Sequence, residues 1–107
     1  MATVIQSSAF KAWLNELTDD RARNRIVARL LRLEKGNSGD TKPVGEGISE
    51  MRIDYGPGYR VYFWQQGLVT LIVLCGGDKR TQTRDIKTAK SIVTAYKATQ
   101  HGKGKKG

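Results

Sequence analysis

The stretch LCGGDKRTQTRDIKTAK, residues 74–90, combines side chains that bind anions. Lys79, Arg80 and Arg84 follow an apolar run and two glycines, and Ile86 begins the apolar spacing of a helix. Arginine can hold a phosphate with two parallel hydrogen bonds, lysine supplies a point charge, and the first N–H groups of a helix favour an anion. This pattern predicts a phosphate-binding site.

Two neighbouring features are expected to complete the site. Gly76 and Gly77 are interpreted as a sharp turn out of the strand, which glycine permits, and as room for a nucleotide backbone. Arg60 follows the glycine turn GPG, residues 56–58, and is expected to reach the same phosphate from the adjacent strand. The further candidates for binding RNA or phosphate are Arg52, Arg84, Lys87 and Lys90.

The charge of the chain favours a polyanionic ligand. Nineteen Lys and Arg against ten Asp and Glu give a formal net charge of +9. Ten of these basic residues, and only two of the acidic ones, fall in residues 55–107. A field of this sign attracts nucleic acids. The alternative interpretation is a charge that serves solubility alone.

Composition argues against several other classes of protein. One histidine, His101, and one cysteine, Cys75, cannot assemble a zinc site, and the P-loop pattern is absent. Glu50 and Asp54 could hold magnesium, but Arg52 stands between them on the same strand face, so no metal and no cofactor is predicted. The chain has no long apolar run, no signal-peptide pattern and a single cysteine. We therefore expect a cytoplasmic protein that does not bind a membrane.

The elements that must position these residues begin with helices. Residues 3–6 could form a short strand before Ser7 and Ser8, which are good helix N-caps. A first helix should follow, and a second is expected from about Arg21 to Lys35, joined to the first as an antiparallel hairpin. The inner face of the second helix is predicted to contain Ile26, Leu30 and Leu33, widened by Val27 and Leu31. Its opposite face carries Arg21, Arg25, Arg29 and Arg32.

A meander of three strands is predicted after a long loop over residues 36–49. Apolar and polar residues alternate from Glu50, and the third strand, residues 68–75, is apolar on both faces, which suggests a central position. If GPG forms the loop of the first hairpin, Asp54 lies opposite Arg60. By the same register, Arg52 lies opposite Tyr62.

Together these elements predict a single α+β domain over residues 1–98. An N-terminal helix hairpin packs on a small, mostly antiparallel sheet, and a C-terminal helix follows. Residues 99–107 are polar and rich in glycine and are expected to form a flexible basic tail.

A cationic site without a metal fits phosphodiester cleavage in RNA. The 2′-hydroxyl is an internal nucleophile, so the protein must orient it, stabilise the extra charge on phosphorus and move two protons. Arg60, Lys79 and Arg80 suit the charge stabilisation. The candidates for proton transfer are Asp54, Tyr62, Lys79 and Lys87.

Two segments resemble a known family of proteins. VGEGISEMRIDYGPGYRVYF, residues 44–63, and LIVLCGGDKRTQTRDIKTAK, residues 71–90, resemble the HigB/RelE-type killer toxins of bacterial addiction modules, in the RelE/ParE superfamily. The resemblance implies a RelE-like α+β fold with an active cleft on one sheet face. It also implies a metal-independent endoribonuclease, or mRNA interferase, that often cuts mRNA on the ribosome. The implied partners are a HigA-like helix-turn-helix antitoxin, mRNA and the ribosome, and operator DNA only through the antitoxin complex.

The resemblance also implies roles for particular residues. Arg60 is the arginine of YRVYF, Lys79 and Arg80 are the basic pair after the last strand, and Arg52 is a basic position before the turn. Some relatives have a tyrosine or histidine in the C-terminal segment where this chain has Asp85 and Ile86, which could shift proton transfer to Lys87. The arginine face of the second helix could bind the antitoxin or ribosomal RNA. The alternatives are a ParE-like toxin that binds DNA gyrase and a non-catalytic regulatory module that binds nucleic acid.

Overall fold

A computed structural model describes residues 3–67 and 70–106, with side chains up to Thr99. The elements in chain order are β1 (Thr3–Gln6), α1 (Ser8–Glu16), α2 (Asp20–Glu34), β2 (Thr41–Gly45), β3 (Ile48–Ile53), β4 (Tyr59–Gln66), β5 (Thr70–Asp78), a 3₁₀ helix (Lys79–Thr81) and α3 (Gln82–Lys106). α3 continues into the segment 99–107 that was predicted as a tail. The side chains of residues 100–107 lie outside the described part, so the tail and the domain limits stay predictions.

The predicted fold class is wrong, because a strand and not a helix hairpin comes first, and this strand makes the sheet mixed. β1 comes first and pairs in parallel with β5, from Thr3 opposite Thr70 to Gln6 opposite Val73. The sheet is therefore mixed and has five strands, in the order β1-β5-β4-β3-β2. A strand of four residues carries little periodic signal, and its partner is far away in the sequence, so local pattern did not reveal this pairing.

A second strand, β2, lies in the segment that was predicted to be a loop. It pairs with β3 and forms one edge of the sheet, with an irregularity between Pro43 and Gly45. Proline has no N–H for a ladder hydrogen bond and is tolerated at an edge, so the Pro and Gly that indicated a loop are compatible with this strand.

The hairpin of β3 and β4 differs from the predicted register by two residues. Arg52 lies opposite Arg60, and Glu50 lies opposite Tyr62. The connecting loop is therefore residues 54–58 and not GPG alone. Because side chains alternate with a period of two, a shift of two residues leaves each side chain on its predicted face.

The helices α1 and α2 begin near their predicted positions. The hydroxyl of Ser7 accepts a hydrogen bond from the N–H of Phe10 at 3.0 Å, and Asp19 caps α2 by accepting from the N–H of Arg21. Ile26, Leu30 and Leu33 are buried as predicted. The predicted widening of this face is wrong, because the side chains of Val27 and Leu31 are 39% and 54% exposed.

Each face of the sheet carries a hydrophobic core. The first core lies against α1 and α2 and includes Phe10, Ile26, Met51, Val61 and Val73. The second core lies against α3 and includes Ile48, Trp64, Ile72, Leu74 and Val93. β5 lies between β1 and β4 and contributes to both cores, which confirms the central position predicted for the third meander strand.

Gly76 and Gly77 lie within β5, so the predicted turn is wrong. A Cβ at Gly76 would come within 2.4 Å of the Trp13 ring, and one at Gly77 within 1.8 Å of the Asp85 carboxylate. These glycines leave room for side chains from α1 and α3, and the space predicted for a nucleotide is filled. They therefore set how closely both helices approach the sheet.

We expect Gly77→Ala to lower the free energy of unfolding by about 1–3 kcal/mol, the usual cost of overpacking a well-packed site. The added methyl group would collide with a short, buried carboxylate that can move only together with α3. Urea denaturation followed by circular dichroism measures this change.

The matched control is the same substitution in an Asp85→Ala background. Removing the carboxylate should make Gly77→Ala much less costly, which a double-mutant cycle reports as coupling. An equal cost with and without the Asp85 side chain would contradict the steric explanation.

Candidate functional site

A cleft of about 590 Å³ lies at the end of the hairpin of β3 and β4. It forms where the loop 54–58 and the start of the 3₁₀ helix meet the two strands. Its lining consists of Asp40, Arg52, Ile53, Asp54, Gly56, Pro57, Gly58, Arg60 and Lys79. The cleft thus brings together three of the predicted basic residues from three different elements.

The two arginines of the cleft are directly opposed in the sheet. Like charges in this position destabilise a strand pair, so they need compensation. Arg52 receives it, because its Nη2 donates to Asp40 Oδ1 at 3.0 Å. Arg60 makes no ion pair with any acidic side chain that the structure describes. The predicted partner Asp54 is exposed at the rim of the cleft, since the loop begins at residue 54, two residues earlier than expected.

The segment after β5 positions Lys79 at the cleft. Asp78 caps the 3₁₀ helix by accepting from the N–H of Arg80 at 2.8 Å, and Thr81 completes a capping box. Lys79 lines the cleft beside Gly58. Arg80 does not line it; its side chain is 83% exposed and lies 3.4 Å from Asp78 Oδ2. The predicted basic pair is therefore divided between the cleft and the solvent.

Tyr62 lies beneath the cleft in the second core and is fully buried. Its hydroxyl donates to Glu50 Oε2 at 2.9 Å. Burial, together with the hydrogen bond to Glu50, raises the pKa of Tyr62 far above its ordinary value. The phenol therefore stays protonated and acts as a fixed hydrogen-bond donor.

Sequence reasoning left Glu50 and Gln82 out of the site. Gln82, at the start of α3, donates its amide N–H to Glu50 Oε2 at 2.7 Å, so this oxygen accepts from two side chains. Glu50 has no exposed surface. The alternation of Glu50 with Arg52 placed both on one face, but the sequence carried no signal that Gln82 would cover the carboxylate.

The remaining predicted basic residues of α3 lie outside the cleft. Arg84 and Lys87 are exposed, and Arg84 Nε lies 3.6 Å from Asp85 Oδ1. Lys90 is half-buried, with its Nζ 3.7 Å from Glu46 Oε2 at the turn between β2 and β3. These side chains extend positive charge beyond the cleft without touching its lining.

The four arginines of α2 have different surroundings. Arg29 donates to the carbonyl oxygens of Arg52 at 2.7 Å and Ser38 at 3.1 Å, and burial lowers its pKa below the ordinary value. A guanidinium stays charged despite such a shift. Arg25 lies over the Tyr55 ring at 4.7 Å, whereas Arg21 and Arg32 are exposed. Arg29 thus supports the strand that carries Arg52.

Cys75 is buried in the second core. Burial raises the pKa of its thiol to about 12. Among the described residues, no cluster of three or more His, Cys, Asp or Glu could hold a metal ion. In the same part of the chain, no helix is both long enough and apolar enough to cross a membrane.

The sequence was compared with known proteins. Residues 12–99 match the model of a family described as phage-derived protein Gp49-like. An uncharacterized protein of Haemophilus influenzae is 56% identical over 83 residues, which cover 78% of this chain and 84% of that protein. All residues that line the cleft fall within the range matched by the family model.

We expect Arg29→Ala to lower the free energy of unfolding by about 2 kcal/mol, because hydrogen bonds to charged groups contribute about 1.5–3 kcal/mol. The exposed Arg21 is the control, and Arg21→Ala should change stability by less than about 0.5 kcal/mol. Thermal or urea unfolding distinguishes them. Equal stability of the two variants would contradict the conclusion that Arg29 stabilises the strand that carries Arg52.

We expect Cys75 to resist alkylation by iodoacetamide in the folded protein. The thiolate is the reactive form, and a buried thiol with a pKa of about 12 supplies very little of it at neutral pH. Mass spectrometry should detect modification only after denaturation. Modification of the folded protein at the rate of the denatured one would contradict the buried position.

Proposed function

Because the chain belongs to the Gp49-like family of phage-derived proteins, toxin-like proteins of toxin–antitoxin modules, we propose that it is a toxin that cleaves mRNA. The finer proposal is a HigB/RelE-type endoribonuclease, acting in the cytoplasm on ribosome-associated mRNA without a metal ion. A HigA-like antitoxin would neutralise it and, in complex with it, bind operator DNA.

The observation that carries this proposal is the unneutralised Arg60 opposite Arg52 in the cleft. Two arginines that are directly opposed in the sheet and line one cleft favour an anion between their side chains, and Lys79 adds a third positive charge. A phosphodiester offers oxygens that both arginines can bind. The loss of mutual repulsion on binding would strengthen the interaction.

The same charges suit the transition state of RNA cleavage. When the 2′-oxygen attacks phosphorus, the phosphoryl oxygens gain negative charge, and fixed cations stabilise that state more than the ground state. We assign this role to Arg60 and Arg52, and proton donation to the leaving 5′-oxygen to Lys79. Asp54 at the rim could orient Lys79.

The exposed cations outside the cleft are assigned to binding. Arg80, Arg84 and Lys87 would attract the RNA backbone without sequence preference. Arg21 and Arg32 on α2 remain candidates for contact with the antitoxin or ribosomal RNA. Lys90 is held by Glu46 and would contribute less.

We expect Arg60→Ala to lower the rate of mRNA cleavage by roughly 10²–10³, the loss typical of one preorganised donor. RNA binding should fall much less, because the remaining cations still supply nonspecific attraction. Cleavage on programmed ribosomes under single-turnover conditions, with a parallel binding assay, separates the two quantities.

Lys11→Ala is the control, because Lys11 is exposed on α1, away from the cleft. It should cleave at the wild-type rate. A folded Arg60→Ala protein that cleaves normally would refute the assigned role. Gyrase-dependent DNA breakage by the wild type, without RNA cleavage, would refute the ribonuclease proposal itself.

A further inference from the structure

Three buried polar atoms without a hydrogen-bond partner belong to residues on one face of the β3–β4 hairpin. Within the described residues, the buried side-chain nitrogen and oxygen atoms in this state are Glu50 Oε1, Arg52 Nε and Arg60 Nε. Buried polar atoms are normally paired, so each exception needs an explanation. Here all three belong to two residue pairs of the β3–β4 hairpin, Glu50–Tyr62 and Arg52–Arg60, which are two positions apart and share one face of the sheet.

The carboxylate of Glu50 is held by only one of its oxygens. Oε2 accepts from Tyr62 and Gln82, which fixes the orientation of the group, while Oε1 accepts nothing. The other buried carboxylate, Asp85, differs: Oδ2 accepts from Thr81 at 2.5 Å, and Oδ1 lies 3.6 Å from Arg84 Nε. Glu50 is thus a carboxylate fixed in place with one oxygen, Oε1, that accepts no hydrogen bond, whereas both oxygens of Asp85 have partners.

Glu50 also lies next to the proposed phosphate site. It is two residues before Arg52 on the same strand face, a separation of about 7 Å along a strand. Arg60 is diagonal to it on β4. A nucleotide whose phosphate binds the two arginines would therefore bring a neighbouring ribose toward Glu50.

We propose that Glu50 is the general base of this site and accepts the proton of the attacking 2′-hydroxyl through one water molecule. This inference rests on the proposed ribonuclease function and deepens it. As the O2′–P bond forms, the proton passes to Glu50 Oε1. The P–O5′ bond breaks, and the 5′-oxygen takes a proton from Lys79. The products are a 2′,3′-cyclic phosphate and a 5′-hydroxyl, and Glu50 and Lys79 recover their protonation states from solvent.

Relay through water accounts for the burial of Glu50. General base catalysis operates by direct contact or through a single water. A water molecule can accept hydrogen bonds from Arg52 Nε or Arg60 Nε and donate one to Glu50 Oε1, so it would pair the atoms that have no partner.

Several charged or titratable groups lie on the elements packed around Glu50. Lys42 is its partner on β2, Tyr62 its partner on β4, and Cys75 lies next to Tyr62 on β5. The 3₁₀ helix and α3 add Lys79 and Asp85. With the two arginines, these groups are Lys42, Arg52, Arg60, Tyr62, Cys75, Lys79 and Asp85.

The test is the pH dependence of single-turnover cleavage of mRNA on programmed ribosomes. Because a base acts only when it is deprotonated, the wild-type rate should rise with pH along an acid limb. Glu50→Gln keeps an acceptor for Tyr62 but cannot take a proton. It should lose the acid limb and cleave roughly 10²–10⁴ times more slowly at neutral pH.

Two further variants separate catalysis from structure. Glu50→Asp keeps a carboxylate, so the acid limb should persist at a reduced rate even if Glu50→Gln fails to fold. Tyr62→Phe removes the hydrogen bond to Glu50 Oε2. It should lower the free energy of unfolding while the acid limb of the pH–rate profile persists. A purely structural Glu50 would affect stability in every variant but would never remove the acid limb.

The outcomes distinguish this inference from the function on which it rests. If the wild type does not cleave RNA, the proposed function fails. If the wild type cleaves and Arg60→Ala does not, but folded Glu50→Gln keeps the acid limb, only the assignment of Glu50 is overturned. Loss of the acid limb in the Glu50→Asp variant would also overturn the assignment of Glu50 as the general base.

Discussion

The opposition of Arg52 and Arg60 is the constraint on which the surrounding structure depends. The hydrogen-bond ladder of β3 and β4 holds two residues of like charge directly opposite each other. Asp40 neutralises one of them, and Arg29 binds the carbonyl oxygen of the same strand residue from the side of α2. The energy that keeps the pair together comes from the two cores, since each strand is packed on both faces. The repulsion is therefore retained at a place where an anion can relieve it.

The glycine pair of β5 connects this site to both helical layers. Trp13 approaches the strand backbone at Gly76 from the first layer, and Asp85 approaches it at Gly77 from the second. The approach of Asp85 fixes where α3 begins. Gln82, one turn earlier, can then reach Glu50, and Lys79 can reach the cleft. Gly76 and Gly77 thus determine where Gln82 and Lys79 lie.

Local pattern in the sequence predicted much of the fold and less of the site. The caps of α1 and α2, the central apolar strand and the face shared by Arg52 and Arg60 follow from short-range periodicity, which the structure keeps. The parallel pairing of β1, the edge strand β2 and the five-residue hairpin loop depend on distant partners or on tolerance of proline, and periodicity does not report these. The roles of Tyr62 and Glu50 depend on which part of the sheet α3 covers. That is a property of packing, whereas residue type alone suggested Tyr62 as a candidate for proton transfer.

The parallel pairing of β1 with β5 has a consequence for the order of folding during synthesis. Thr3 is the partner of Thr70, and the hydroxyl of Ser7 donates to the carbonyl oxygen of Leu74, 67 residues away. Contacts of such long range require closure of most of the chain into a loop, which slows folding. β1 emerges first from a translating ribosome but has no neighbour in the sheet until the last strand has emerged. Trp13 and Asp85 likewise need β5 before they can pack. The nascent chain therefore cannot assemble the cleft until β5, which ends at Asp78, has emerged, and any activity of the cleft can appear only after that point of synthesis.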